Sequence, residues 1–352
     1  MALKSSTKTK LRTVFSVTLT GVIIGPLFVS LAFGFDFERV LKGLIAGFTI
    51  TFLSSIFETF IFQSKLKRLS FTLLFIIKTL FYVILISFTV ITVWVVHESL
   101  LNNNSIFVTM ATDDFKKFMT TGDFPKILIF AATVSLLINF FVLLNSLVGK
   151  GVLLKYVTGK YHSPVIEERI FMFLDLESST SIAEKIGAVG YHKFMNNYFF
   201  DINDPIIESK GEIYQYVGDE IVVSWTLKNG VKNNNCIKCF FDISEKISSL
   251  AEKYQGAFGY VPGFKAGLHF GEAVIGEIGD DKKDIVFHGD VMNTTSRIQA
   301  QSKIMNKKLV ISEDLLKLLS LDGKYKSEDA GTFMLKGKEN EIQLFSIVKA
   351  GS

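Results

Sequence analysis

Two acidic residues have the type and setting for phosphoryl chemistry. Asp175 ends a predicted strand in FMFLDLESST, and Asp219 sits in a tight turn in YQYVGDEIVV. If the two strands are neighbours, both carboxylates reach one end of a sheet. Two such groups repel unless a divalent cation lies between them. After Asp175, the residues Ser178, Ser179 and Thr180 open a predicted helix. The unpaired backbone N–H groups of a helix start can receive phosphate. Metal-holding carboxylates beside such a start suit a nucleoside triphosphate and two-metal phosphoryl transfer. The same residues have a plainer use: Ser178 or Ser179 as helix cap, and Asp219 as a turn former. Spacing alone leaves the two readings level.

Other chemistries find little support. No Gly-x4-Gly-Lys-Ser/Thr loop is present, so a P-loop NTPase is not supported. There is no zinc-ligand spacing. Cys236 and Cys239 form a lone CxxC in a predicted helix and read as buried thiols rather than a redox pair. A net charge of +4 is too small to argue for nucleic acid.

The elements that must position the two aspartates come from an alternating pattern after residue 169. Strands are expected at 170–176, 212–216 and 221–225, the last two joined by Gly218-Asp219. Helices are expected at 179–186, 191–209 and 291–301, with a long amphipathic one at 231–254. A strand pair at 264–269 and 272–277 would turn at Gly271, and further strands fall at 308–311, 332–335 and 342–348. Strand–helix–strand–strand–helix–strand order predicts an α+β domain with a ferredoxin-like core.

The first half of the chain is different. Mean hydropathy is +0.36, which soluble domains rarely reach. Apolar stretches run at about 14–35, 41–62, 71–96 and 127–148. Each has enough apolar residues to cross a ~30 Å hydrocarbon layer as a helix. Lys4, Lys8, Lys10 and Arg12 precede the first; Lys65, Lys67 and Arg68 crowd the second loop; Lys150, Lys155 and Lys160 follow the fourth. The positive-inside rule then puts both termini in the cytoplasm. Glu58 and Lys78 lie within spans and are expected to be structural rather than part of a sensing site, either as one ion pair between helices or by snorkelling toward an interface, and the sequence does not say whether they pair. Asn139 and Asn145 are expected to join helices, and His97 is read as a lone interfacial histidine, not a ligand. The segment at 147–161 could continue the fourth span as a helix that transmits between the two halves, or be a plain linker, and its short apolar stripe leaves both open.

The stretch from about 169 to 348 resembles the catalytic domain of class III nucleotidyl cyclases, the adenylate and guanylate cyclases. FLDLESST and VGDE are similar to the family's two metal blocks. AGLHFGEAVIGEIG resembles its Gly-rich dimer-centre segment, HGDVMNTTSRIQA its Asn/Arg block, and LKGKENEIQLFSI its closing phosphate-binding block. The resemblance implies two catalytic domains packed head to tail with the sites between them. It implies that Asp175 and Asp219, with the Leu176 carbonyl, hold two Mg²⁺ or Mn²⁺ ions. Asn293 and Arg297, one helical turn apart, would come from the opposite protomer, and Lys336 would bind the terminal phosphates. The residues at the purine-reading positions are Gln215 and Val286, which match neither the adenylate nor the guanylate pattern. Ser178 stands where many members have Gly.

The expectation is therefore a multi-pass α-helical membrane domain over 1–149, a connector at 150–168 and a cytoplasmic class III cyclase domain over 169–350. It would be an adenylate cyclase of the cell (inner) membrane, a homodimer acting on ATP and touching membrane lipid. A guanylate cyclase using GTP, or a non-catalytic nucleotide-binding membrane receptor, is the alternative.

Overall fold

The computed structural model describes residues 5–62, 66, 69–149, 151–335 and 341–351, with side chains from residue 10 onward. The chain divides into two units, Met1–Val148 and Gly149–Ser352.

The first unit holds α1 (Ser5–Phe33), α2 (Phe37–Phe57) with a π-helical extension Glu58–Phe62, α3 (Phe71–Leu101), α4 (Ile106–Ala111), α5 (Asp113–Thr120) and α6 (Asp123–Val148). Four segments are long and apolar enough to span a membrane: Lys10–Phe33, Phe37–Phe62, Phe71–Leu101 and Asp113–Val148. α1 and α2 meet through glycines. A Cβ at Gly25 would lie 3.0 Å from the Gly47 Cα, and one at Gly43 would lie 2.9 Å from the Gly25 carbonyl oxygen. Small residues four apart on both helices allow that approach. The ionisable pair is joined: Lys78, buried on α3, donates to Glu58 at 2.7 Å, and Tyr82 donates to the other carboxylate oxygen at 2.8 Å. His97 lies 3.5 Å from Glu98 and 3.8 Å from Glu38. Asn139 is buried, but its Nδ2 finds no hydrogen-bond partner among the described residues, so that atom does not join helices. Lys4, Lys65, Lys67, Arg68, Lys150 and Lys336 lie outside the described residues.

The second unit runs α7 (Val152–Val157), β1 (Val165–Leu176), α8 (Ser179–Glu208), β2 (Glu212–Val217), β3 (Glu220–Thr226), α9 (Leu227–Val231), a 3₁₀ turn Lys232–Asn234, α10 (Asn235–Ser249) and α11 (Ala251–Phe258). It continues with β4 (Phe264–Ile278), β5 (Asp284–His288), α12 (Asp290–Ile304), β6 (Leu309–Ser312), α13 (Glu313–Leu316), β7 (Tyr325–Phe333) and β8 (Ile342–Lys349). The sheet order is β2-β3-β1-β4-β6-β8-β7, with β5 paired to β4. The block β2-β3-β1-β4, all antiparallel, with α8 and α10 as crossovers, is the ferredoxin-like arrangement.

β1 is the middle of the core because both its faces are covered. Ile170, Met172 and Leu174 pack with Phe194, Tyr198 and Ile243 of α8 and α10. Phe171 and Phe173 point the other way, onto Val222, Ala273 and Val291 of α12. The period-2 alternation of a strand makes that split.

Three expectations need correction, and one open point is resolved. The predicted strand pair around Gly271 is one continuous strand, β4, paired to β1 along its length. Gly271 marks an approach, not a turn: a Cβ there would lie 3.1 Å from Val291 Cβ on α12. The long helix at 231–254 is interrupted, because Asn233 and Asn234 adopt left-handed φ of 54° and 52°, and α10 starts only after them. The strand expected at 332–335 lies earlier, as β7. The connector does not continue the fourth span, since Gly149 (φ 110°) and Gly151 (φ 77°) break the helix at Val148.

Candidate active site

The site begins with strand register. β1 and β3 are antiparallel neighbours, and Asp175 lies opposite Glu220. Gly218 supplies the left-handed φ (63°) of the β2–β3 turn, so Asp219 precedes β3 at the same end of the sheet as Asp175. Two neighbours report the closeness of the carboxylates. Burial, then the charges of Asp219 and Asp175, push the Tyr191 phenol of α8 upward, against a hydrogen bond from Ser179. Burial, then the charges of Asp175 and Asp219, push the Glu220 carboxyl up to about 7, and Lys303 opposes that rise.

The Glu220 shift has a consequence for stability. Its folded-state pKa lies above its ordinary value of 4.5, so the folded chain binds this proton more tightly than the unfolded one. Stability from this group therefore grows as pH falls from about 7 toward 4.5, and the ionised form costs stability above pH 7. With solvent screening allowed for, that cost is about 1 kcal/mol. Glu220→Gln is expected to raise the melting temperature of metal-free protein at pH 8 and leave it unchanged at pH 4.5. Equal shifts at both pH values would contradict this.

Asp175 is buried and takes two partners from α12. Gln299 Nε2 donates to Oδ2 at 3.1 Å, and the Lys303 ammonium pairs with the same oxygen. α12 is fixed against β4 by Gly267, where a Cβ would lie 2.7 Å from the Gln299 Cα. Asn293, exposed, and Arg297, half-buried, share another face of α12. At 100° per residue that face is about 120° around the axis from the one carrying Gln299 and Lys303. Neither Asn293 nor Arg297 makes a side-chain hydrogen bond among the described residues.

Leu176 ends β1 beside Asp175. Ser178 occupies the cap position of α8 with φ 59° and ψ 26°, and its side chain makes no capping bond. The simple capping role for Ser178 is therefore not realised. Its left-handed backbone is the conformation glycine adopts most easily. Ser179 and the exposed Thr180 follow in the first turn. Gln215 is exposed on β2 and Val286 half-buried on β5. Their strands touch through the adjacent residues: Phe287 N donates to the Tyr214 hydroxyl at 3.3 Å, and the two rings lie 4.7 Å apart.

Sequence reasoning missed Glu220, Gln299 and Lys303. Glu220 was readable as the residue after Asp219 in VGDE. Gln299 and Lys303 had only their one-turn spacing as a signal. It also missed Arg169, buried on β1, which donates to Glu167 at 3.0 Å and Glu212 at 3.1 Å and stacks 5.0 Å from the Phe287 ring. Lys155 of α7 joins the same Glu212 carboxylate at 3.0 Å, and Tyr156 donates to the Lys283 carbonyl at 2.9 Å. α7 is thus fastened to β2 and to the segment leading into β5. Cys236 and Cys239 are fully buried, and burial pushes both thiols up to about 12, which makes them inert core residues.

Residues 163–348 match the family described as the Adenylate and Guanylate cyclase catalytic domain. The chain belongs to this cyclase family. One similar relative is "Adenylate cyclase 2" of Rhizobium meliloti (strain 1021), 38% identical over 227 residues, covering 64% of this chain and 62% of the relative. Another is an adenylate cyclase of Anabaena cylindrica, 24% identical over 180 residues, covering 50% of this chain and 36% of that one. The chain thus spans less than two thirds of either relative. Among solved structures, a bacterial light-regulated adenylyl cyclase shares the fold, with a TM-score of 0.54 at 19% identity over 64% of this chain and 66% of that one.

Class III cyclases are metal-dependent, and the residues here fit a divalent cation. The charges of Asp175 and Asp219 both push the Glu220 carboxyl up, and an ammonium already sits on Asp175. Among the described residues no three His, Cys, Asp or Glu side chains converge on a single ion.

Proposed function

We propose that the chain is a membrane-anchored adenylate cyclase, active as a homodimer, that converts ATP to 3′,5′-cyclic AMP and pyrophosphate. The observation that carries this reading is the β1–β3 pairing, which brings Asp175 and Asp219 to one end of the sheet. The family and the 38% identical adenylate cyclase support it.

Asp175, Asp219 and the Leu176 carbonyl would hold two Mg²⁺ or Mn²⁺ ions. When bound, these ions neutralise the triphosphate and acidify the ribose 3′-hydroxyl. The residues of the chain do the rest. Ser178, Ser179 and Thr180 present the first turn of α8 to phosphate, and Lys336 adds a charge for the terminal phosphates. Asn293 orients the ribose. Arg297 places its guanidinium against the α-phosphoryl oxygens, where charge develops as the 3′-oxygen forms its bond to phosphorus and the bond to pyrophosphate breaks. Asn293 and Arg297 face away from the carboxylates of their own chain, which favours their serving a partner's site. Gln215 and Val286 would flank the purine, and a glutamine can both donate to and accept from an adenine edge. In the first unit, the four long apolar helices would span the inner membrane, and the basic residues before α1 favour termini on the cytoplasmic side. The connector, tied to β2 through Lys155, would transmit the state of the spans.

The test compares ATP and GTP on one preparation of the whole chain with Mn²⁺. Cyclic AMP, with kcat/KM for ATP at least about tenfold above that for GTP, is expected, a margin of about 1.4 kcal/mol. Preferential cyclic GMP would make the chain a guanylate cyclase. No cyclic nucleotide from either substrate would leave a nucleotide-binding receptor.

A further inference from the structure

Asp175 takes a neutral and a charged partner from one helix. The carboxylate is 6% exposed, while the Lys303 side chain bonded to it is 52% exposed. Lys116 with Asp113 joins two exposed groups, whereas here only the cation reaches solvent, as it does where Lys253 meets the buried Asp201. Gln299 and Lys303 both address Oδ2 from one face of α12, four residues apart. Because Gly267 carries no Cβ, α12 can lie close against β4, which brings both groups within reach of Asp175.

The charges explain the arrangement. A buried carboxylate left without a counter-charge is strongly destabilising. Asp175 also has acidic neighbours in Asp219 and Glu220. An ammonium on a flexible four-carbon stem can satisfy it and still swing into water when something better arrives. A divalent cation coming to Asp175 meets this positive charge already in place.

We propose that Lys303 is a resident counter-ion that a divalent cation must displace from Asp175: it holds the empty site together and weakens metal binding. This rests on the reading of Asp175 and Asp219 as metal ligands. One residue then has two effects of opposite sign. It raises the stability of the metal-free chain and lowers the affinity of the site for metal. Lys303 is a positioning residue acting through Asp175, and it need not touch the nucleotide.

The test uses the whole chain in detergent, without nucleotide. Mn²⁺ is titrated, and the free ion is followed by electron paramagnetic resonance. Lys303→Gln is expected to bind Mn²⁺ about three- to tenfold more tightly than the wild type, as removal of one partly screened like charge requires. Lys303→Arg keeps the charge and is expected to bind no more tightly than the wild type. Metal-free Lys303→Gln should melt below the wild type, and saturating Mn²⁺ should narrow that gap. Wild-type or weaker affinity in Lys303→Gln, or tighter binding in Lys303→Arg, would overturn the proposal. If Lys303→Gln does not fold, the Lys303→Arg comparison still decides. Asp175→Asn separates this from the underlying reading. If the wild type binds Mn²⁺ no better than Asp175→Asn does, the metal assignment itself fails and this inference fails with it.

Discussion

Chains carrying Asp175→Asn are expected to lose about a thousandfold or more in turnover, as are chains carrying Arg297→Ala, yet mixing the two should restore activity. The argument is geometric. Asp175 lies on β1 with its carboxylate turned to α12, and Arg297 lies on a face of α12 about 120° from the one that meets it. Side chains that point apart in this way are better suited to serving two different sites of the proposed homodimer. In a mixed dimer one site takes its aspartate from the Arg297→Ala chain and its arginine from the Asp175→Asn chain, and is intact. The other site is damaged twice. Random assortment makes half of the dimers mixed, so recovery should reach about a quarter of wild-type activity. Each variant must first be shown to fold and dimerise. If both do and the mixture stays as inactive as its parents, the shared-site arrangement is wrong.

Gly267→Ala should be strongly destabilising. Gly267 lies in the middle of β4, opposite Phe173 on β1 and Val310 on β6. A methyl there would lie 2.7 Å from the Gln299 Cα and 2.9 Å from the Ile298 carbonyl carbon. These atoms are backbone, so no rotamer change relieves the clash, and α12 must move. Overpacking of this kind costs about 3 kcal/mol. For a unit of this size that lowers the melting temperature by about 10 °C. Activity should fall as well, since α12 carries Asn293, Arg297, Gln299 and Lys303. Gly276→Ala is the control in the same strand. Its methyl would meet Pro164 at 3.5 Å, an ordinary contact, and should be nearly neutral. Similar melting temperatures for the two variants would refute the packing argument.

How much of this was legible in the sequence depended on whether the signal was local. The two aspartates, the Gly218 turn and the ferredoxin-like order came from strand alternation and turn chemistry, which short stretches encode. Gly271 misled because a glycine at a turn and a glycine beneath a helix look alike in one dimension. Only Val291, twenty residues on, distinguishes them. The Asn233–Asn234 break was hidden for a similar reason, since asparagine tolerates both helix and left-handed backbone. Lys303 was unreadable because its partner is 128 residues away. In the first unit the apolar runs were plain, but the glycines that seat α1 on α2 passed as ordinary apolar-run residues.

The Lys78–Glu58–Tyr82 contact bears on biogenesis. A helix released singly into lipid with a bare ammonium or carboxylate on it is penalised, the more so the deeper the charge lies. α2 carries the acid at its π-helical end and α3 carries the base, twenty residues apart in sequence. Each neutralises the other only when both segments are present. The insertion machinery therefore has reason to hold the earlier segment until the later one emerges and to hand them to the bilayer as a hairpin.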